Sequence, residues 1–352
     1  MAAGKFTYSL SCPLPQLDFD RIVLGHGSGG LLSKRLIDKV IRPALGEVIL
    51  SEWHDGAILN THSKLAFSSD SYVVSPVFFP GGNIGHLAIH GTVNDLAMCG
   101  AEAKYLSLSF ILEEGLMLSD FWEILLSIKN ACERSNVKIV TGDTKVVDGK
   151  KCDQIFISTS GIGEVHAQSD VHAKNIRAGD TIIVSGNMAS HGIAVMSVRQ
   201  GLEFETQVTT DSAPLHVPVK KLLDAFGSKI HFLRDPTRGG VATVLNEAAL
   251  DSGLSMEIHE RILPVLPEVN GACELLGLDP LHVANEGIFI AIMDPKIADE
   301  AMGILRNDEC GIHAAIIGQV LDRQPPQVIC QSLIGGRRVV PMLPGEQLPR
   351  IC

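Results

Sequence analysis

The residues best suited to chemistry are aspartates set beside small residues at the ends of apolar runs. They are Asp55 (followed by Gly56-Ala57), Asp70 (after Ser68-Ser69), Asp95 (after Asn94), Asp143 (between Gly142 and Thr144) and Asp235, in Asp235-Pro-Thr-Arg238-Gly-Gly240. Hard cations such as Mg²⁺ take carboxylate and phosphate oxygens together, so such a set suits a metal–triphosphate site. Each aspartate alone is an ordinary cap or turn residue. Asn94 and Asp95 say more, because they interrupt an apolar helical period, where an unpartnered carboxylate costs on the order of a few kcal/mol. Gly25-His26-Gly27-Ser28-Gly29-Gly30 precedes a helical stretch, Leu31–Ile41. Glycine lets main-chain N–H groups approach an anion, and a helix N-terminus adds a favourable dipole. The loop matches neither the P-loop nor the dinucleotide fingerprint, and a plain loop is an equal reading.

Arg238 is a candidate phosphate clamp, with a surface ion pair as the bland alternative. Lys145 and Glu286 are charged groups at strand edges to which spacing alone gives no role. The sequence ends Leu348-Pro-Arg-Ile-Cys352. A thiol on a Pro-stiffened tail could be loaded at one place and processed at another, and thiolate is nucleophilic near neutral pH. Arg350 would favour that thiolate. The plain alternative is an incidental last residue; a prenylation box would need its Cys four from the end. No zinc-protease helix or nucleophile elbow is present.

The rest of the sequence says what must position these groups. A chain of 352 residues suggests two domains, and 45% hydrophobic with 20% charged residues is ordinary for a globular protein. With Lys+Arg 29 against Asp+Glu 40, the net charge of −11 disfavours duplex DNA, and 5% aromatics disfavours stacking on single strands. No apolar run is long enough for a membrane helix and no secretory pattern opens the chain, so a cytoplasmic protein is expected. Eight cysteines without a CxxC pair read as reduced thiols, not disulfides or zinc ligands.

Periodicity predicts a strand at Lys64–Ser68, a helix at Ile84–Met98 and a strand at Tyr105–Leu112. It then predicts a helix capped by Ser119 and running to Ser135, with strands at Val137–Val140 and Gln154–Ser158. After a Gly-rich passage at Gly161–Gly163 come a strand at Thr181–Val184 and helices at His191–Gln200, Leu215–Phe226 and Gly239–Asp251. Strands at Gly287–Met293 and Ala314–Val320 complete the pattern. Two α+β units fit better than one parallel sheet. From Gln324, Pro-Pro, Gly-Gly and later prolines predict no regular element. The expected division is an N-terminal Gly-rich segment (1–42), a first domain (43–163), a second (164–323) and an extended flexible tail (324–352).

These residues closely resemble the HypE family of hydrogenase maturation factors, in the superfamily of aminoimidazole ribonucleotide synthetase, selenophosphate synthetase and thiamine-monophosphate kinase. The resemblance runs from His26 to Cys352. It is carried by Phe78-Phe-Pro-Gly-Gly82, Gly91-Thr-Val-Asn-Asp-Leu96, Phe110-Ile-Leu-Glu-Glu-Gly115 and Thr141-Gly-Asp-Thr-Lys-Val146. Arg234-Asp-Pro-Thr-Arg-Gly-Gly240, Ala284-Asn-Glu-Gly287 and the family-specific Pro349-Arg-Ile-Cys352 complete it. One departure is His54-Asp55-Gly56, where an acidic residue before the Asp and Ala after it are the family pattern.

The resemblance implies two α+β domains of the aminoimidazole ribonucleotide synthetase type, a homodimer formed through the first domain's sheet, and ATP between the domains. It implies a carbamoyl group received on Cys352 from the carbamoyltransferase HypF and dehydrated with ATP to an S-thiocyanate. The cyano group then passes to a HypC–HypD complex for the iron of nickel–iron hydrogenase. In this scheme Asp55, Asp70, Asp95 and Asp235 hold Mg²⁺. Gly27, Ser28, Gly29, Gly30, Asn94, Asp143, Thr144 and Arg238 bind the nucleotide. Glu286 acts as base, and Lys145 orients the carboxamide or stabilises its charge. A selenophosphate synthetase ranks lower, because Cys12 has Pro13 after it and no neighbouring Lys. A non-catalytic nucleotide-switched thiol carrier is disfavoured by the full aspartate set.

Overall fold

In the computed structural model the described residues are 20–27, 31–48, 63–201, 208–343, 348 and 350–352. The predicted helix after the Gly-rich loop is α1 (Leu31–Leu36), which passes through a π-helical turn (Ile37–Ile41) into α2 (Arg42–Leu45). Leu36, Val40, Ile41, Ala44 and Leu45 bury its apolar stripe. Then follow β1 (Leu65–Tyr72), the small hairpin β2 (Phe78–Phe79) and β3 (Gly82–Asn83), α3 (Ile84–Met98) and β4 (Ala101–Glu113). The unit is completed by α4 (Leu118–Ser135), β5 (Lys138–Val147) and β6 (Ile155–Val165).

Strands of this unit lie in the order β1-β6-β4-β5. Only β4 and β5 run parallel, as their crossover through α4 requires. α3 is held at its start by a reciprocal cap: the Asn83 side chain accepts from Gly85 N–H, and His86 Nδ1 accepts from Asn83 N–H. Its residues are buried on every side except at Asp95, so the helix is a core element. The opposite face of the sheet is open, with Phe67 68% exposed.

Three local expectations are corrected here. Helix α4 starts at Leu118 behind Met117, with no side-chain cap, and Ser119 lies inside it. Gly142-Asp143-Thr144 lies within β5, and Gly161–Gly163 within β6. The long strand β4 pairs with both neighbours, so the ladder continues through glycines that locally read as breakers. At Gly142 a Cβ would sit 2.1 Å from the Leu108 carbonyl, which makes glycine a packing requirement there.

The second unit comprises β7 (Thr181–Val184), α5 (Ser190–Gln200), α6 (His216–Phe226), β8 (Ile230–Arg234), α7 (Gly240–Ser252) and β9 (Ser255–His259). It continues with α8 (Pro267–Leu276), β10 (Ile290–Met293), α9 (Ala298–Arg306), β11 (Ala315–Leu321), β12 (Val328–Gln331) and β13 (Arg337–Val339). Its sheet has the order β13-β12-β9-β11-β7-β10-β8. The expectation of no regular element after Gln324 is therefore wrong for β12 and β13. Pro325-Pro326 precedes β12 and Gly335-Gly336 forms the hairpin turn, so these residues bracket the strands and do not interrupt them. From Pro341 the described residues lie in neither helix nor strand.

Helices α5 and α8 pack into the first unit's core together with Leu348 and Ile351. No helix among the described residues is long and apolar enough to cross a membrane.

Candidate active site

The junction between the units gathers residues from both. Ala284-Asn285-Glu286-Gly287 leads into β10 and is pinned at every peptide. Buried Asn285 accepts from Ala189 N–H at 2.6 Å and donates to the carbonyls of Pro236 and Val283, both at 2.9 Å. One carboxylate oxygen of Asp211 accepts from Glu286 N–H at 3.1 Å and Gly287 N–H at 3.0 Å. A Cβ on Gly287 would sit 1.7 Å from the Asp211 carbonyl, so only glycine lets these chains approach. The Glu286 side chain is 3% exposed and its Oε1 has no hydrogen-bond partner among the described residues. Burial, and then the negative charges of Asp235, Asp211, Asp70 and Asp95, push its pKa well above the ordinary value.

Asp95, on α3, accepts from Ser68 Oγ at 2.6 Å. Burial raises its pKa first, and Asp70 adds to that; Asp235 is raised by burial and by Asp95. Asp70 accepts from Ser71 N–H at 2.7 Å and lies 3.8 Å from an Nη of Arg238. Three buried or half-buried carboxylates that oppose one another's charge fit a divalent cation, which would relieve that opposition. The described side chains do not by themselves form a ready-made cluster of three or more metal-ligating groups. Asp55 lies outside the described residues, as do Ser28, Gly29 and Gly30.

Cys352 lies in the same place. Its main-chain oxygen accepts from Val73 N–H at 3.3 Å, and the Arg350 carbonyl from Ser75 N–H at 3.2 Å, so the last residues run antiparallel to Val73–Ser75. The Ile351 carbonyl accepts from His191 Nε2 at 2.8 Å. The Arg199 guanidinium bridges the carbonyls of Ser75 and Arg350. Burial, then Glu286, push the Cys352 thiol up to about 12, while a hydrogen bond and charge from Arg238 act the other way. The cation at the sulfur is thus Arg238, and Arg350 instead pairs with Asp153. The other described thiols are also pushed upward, with burial the largest cause. Cys12 lies outside the described residues.

Arg238 owes its position to Gly239 (φ +69°) and Gly240 (φ +61°), which turn the chain into α7 through two left-handed residues. Asn94 is 1% exposed, and its amide is used on main chain. It donates to the carbonyls of Ala213 (3.0 Å) and Glu286 (3.2 Å) and accepts from Leu215 N–H (2.8 Å), so it fastens the second unit to α3.

The structure therefore brings together Cys352, Glu286, Arg238, Asp70, Asp95 and Asp235. It does not bring Lys145 or Asp143 to them within one chain. These two pair with each other at 3.0 Å on exposed β5, where Thr144 N–H donates to Asp143 at 2.9 Å. The turn that ends at Gly27 packs beside the same strand. Sequence reasoning missed Asp211, Asn285, His191, Arg199 and Ser68. Asp211 sits among Thr209, Thr210 and Ser212 and so carried the same Asp-beside-small signal as the others.

Residues 53–165 match the family model for the AIR synthase related protein N-terminal domain, and residues 177–331 match that for its C-terminal domain. The chain is 47% identical over 330 residues to carbamoyl dehydratase HypE of Bradyrhizobium diazoefficiens, covering 94% of this chain and 95% of that one. It superposes with a TM-score of 0.90 on a crystal structure of hydrogenase maturation protein HypE in complex with ATP, at 46% identity, covering 94% of this chain and 99% of that one. A HypE from a HypE–HypF complex gives a TM-score of 0.77 at 42% identity, covering 88% and 99%. With both units, the Ala-Asn-Glu-Gly segment and Cys352 all in place, the chain belongs to the carbamoyl dehydratase HypE family of hydrogenase maturation proteins.

Proposed function

We propose that the chain consumes ATP to convert an S-carboxamide on its own Cys352 into an S-thiocyanate. The observation that carries this reading is the seating of Cys352 between Arg238 and the buried Glu286. The balance is R–S–C(O)NH₂ + ATP → R–S–C≡N + ADP + phosphate. The amide oxygen is a poor leaving group until it accepts the γ-phosphoryl; two N–H protons must then leave as the C–O bond breaks. Glu286, whose burial raises its proton affinity, would accept one of them, and the departing phosphate the other. Arg238, the guanidinium at the sulfur, would orient the carboxamide and meet developing negative charge.

Asp70, Asp95 and Asp235, with Asp55, would hold Mg²⁺, which supplies neutralisation of the triphosphate charge. The nucleotide would lie towards the Gly27–Gly30 turn, Asp143 and Thr144. Lys145 stands on the open face of the first unit's sheet, which supports a homodimer through that face with Lys145 acting on the partner's carboxamide. HypF as carbamoyl donor and HypC–HypD as cyanide acceptor complete the reading, and the solved HypE–HypF complex of a relative supports the first. The test is mass spectrometry of the C-terminal peptide after incubation with HypF, carbamoyl phosphate and ATP. Carbamoylation followed by ATP-dependent loss of one water at Cys352 is expected; a stable carbamoyl adduct would refute the reading.

A further inference from the structure

His191 is placed unlike an ordinary core histidine. It is fully buried at the start of α5, and its ring meets Phe79 edge-on at 5.4 Å, which fixes the ring plane. Nε2 faces the Ile351 carbonyl, an acceptor only, so Nε2 carries the proton and Nδ1 must accept. Thr210 Oγ1 lies 2.8 Å from Nδ1 and itself accepts from Ser212 N–H at 3.1 Å, which leaves its hydroxyl proton for the ring. The residue after Thr210 is Asp211, which carries the carboxylate described above. That carboxylate in turn holds Glu286 N–H and Gly287 N–H. Hydrogen bonds thus run from the peptide next to Cys352 through His191 to Thr210, and the peptide bond from Thr210 to Asp211 joins them to the bonds that hold the backbone of Glu286.

We infer that His191 and Asp211 are positioning residues, His191 seating the last peptide of the tail and Asp211 placing Glu286 against it. The inference rests on the dehydration reading above for the role of Glu286, but not for the seating of the tail. Gly192 supports the arrangement, because a Cβ there would crowd Leu348 at 3.2 Å and Val283 at 2.4 Å. The tail and the segment before Glu286 therefore meet on one turn of α5.

The test uses the full-length chain and four variants: His191→Phe, His191→Gln, Asp211→Ala and Asp211→Asn. Phe keeps the ring contact and removes both polar bonds, whereas Gln restores a donor towards Ile351. Asn keeps an acceptor for the two N–H groups, and Ala removes it. Nucleotide binding and thermal melting report folding for each. Seating is read from the rate at which iodoacetamide labels Cys352, and placement of Glu286 from single-turnover water loss on carbamoylated protein at saturating ATP. His191→Phe should label roughly five- to tenfold faster than wild type, as expected for losing one good hydrogen bond, with recovery in His191→Gln. Asp211→Ala should keep slow labelling yet lose water at least about fivefold more slowly, with recovery in Asp211→Asn.

Wild-type labelling in a folded His191→Phe would overturn the seating role. Wild-type turnover in a folded Asp211→Ala would overturn the placement role. Absence of any water loss in the wild-type chain would sink the dehydration reading and, with it, the placement role, while the labelling arm still decides the seating of the tail.

Discussion

The side-chain amide of Asn94, on α3 of the first unit, donates to the main-chain carbonyl of Glu286 in the second across 3.2 Å. The same amide also holds Ala213 and Leu215, so one side chain fastens the Ala284–Gly287 segment and the start of α6 to the first unit's central helix. Asn94→Ala leaves buried main-chain groups unpaired. A loss of about 2–4 kcal/mol in stability is expected. Denaturant midpoints measure it, and a change under about 0.5 kcal/mol would mean the junction is held elsewhere.

Glu286→Gln keeps the shape of the site and removes the proposed base. Water loss from carbamoylated Cys352 should slow by about 10²–10⁴-fold, with nucleotide binding retained. Single-turnover mass spectrometry decides, and wild-type turnover would assign the base elsewhere.

The burial of His191 gives stability a pH signature. Its pKa is lowered to about 4 from an ordinary 6.5, with burial the largest cause. Between these values the unfolded chain binds more protons, so this contribution is complete above about 6.5 and is lost as the pH falls towards 4. The slope reaches at most about 1.4 kcal/mol per pH unit. Asp211, pushed up to about 6 mainly by burial, works in the opposite direction between 3.8 and 6. Wild type minus His191→Gln therefore isolates the histidine: the difference should narrow as pH falls from 6.5 to 4. A difference independent of pH would contradict a neutral, buried His191.

Arg199 and Asp153 both hold the tail, but unequally. Arg199 bridges two main-chain carbonyls, whereas the Arg350–Asp153 pair is half exposed, at 50% and 42%. Arg199→Ala should speed iodoacetamide labelling of Cys352 at pH 8 by roughly tenfold, because the released thiol returns to an ordinary pKa near about 8.5. Asp153→Ala should have a smaller effect, within about 1 kcal/mol. Equal effects would mean the ion pair, not the carbonyl bridge, seats the tail.

Lys145 is remote from Glu286 in its own chain, so the proposed action across a dimer predicts complementation. Lys145→Ala and Cys352→Ala chains, each inactive, should regain ATP-dependent water loss when mixed and allowed to exchange subunits. Continued inactivity in mixed dimers verified by mass would place Lys145 outside the reaction.

Much of this arrangement was legible in the sequence, for definite reasons. The strands and helices with strong periods, such as Ile84–Met98 and Thr181–Val184, lie where the pattern puts them. Asp70, Asp95, Asp235, Arg238, Glu286 and Cys352 meet because their motifs lie in or beside elements that converge on the junction. The ladder partner of a glycine was not legible, so Gly142 and Gly161 read as breaks although β4 carries the strands through them. The residues that serve through main chain were also hidden. The main-chain bonds of Asn94 were not legible, because a buried amide shows no sign in sequence of which backbone it holds. His191 on an amphipathic helix carried no distinguishing signal, and Asp211 was passed over because its neighbours lead into a helix with no apolar strand before it.

Eleven residues separate buried Val340, whose N–H donates to the Val328 carbonyl at 2.9 Å, from Cys352, so on the proposed reading the reacting group is a tethered one. Fully extended, such a tether reaches about 40 Å from Val340. A short tether of this kind presents its end at an effective concentration of the millimolar order, so the seat needs little intrinsic affinity to be filled. On the proposed reading, a substrate carried on this tether could visit another protein's site and return without being lost to solution. The chain thereby separates occupancy, which the tether provides, from alignment, which is left to a few hydrogen bonds.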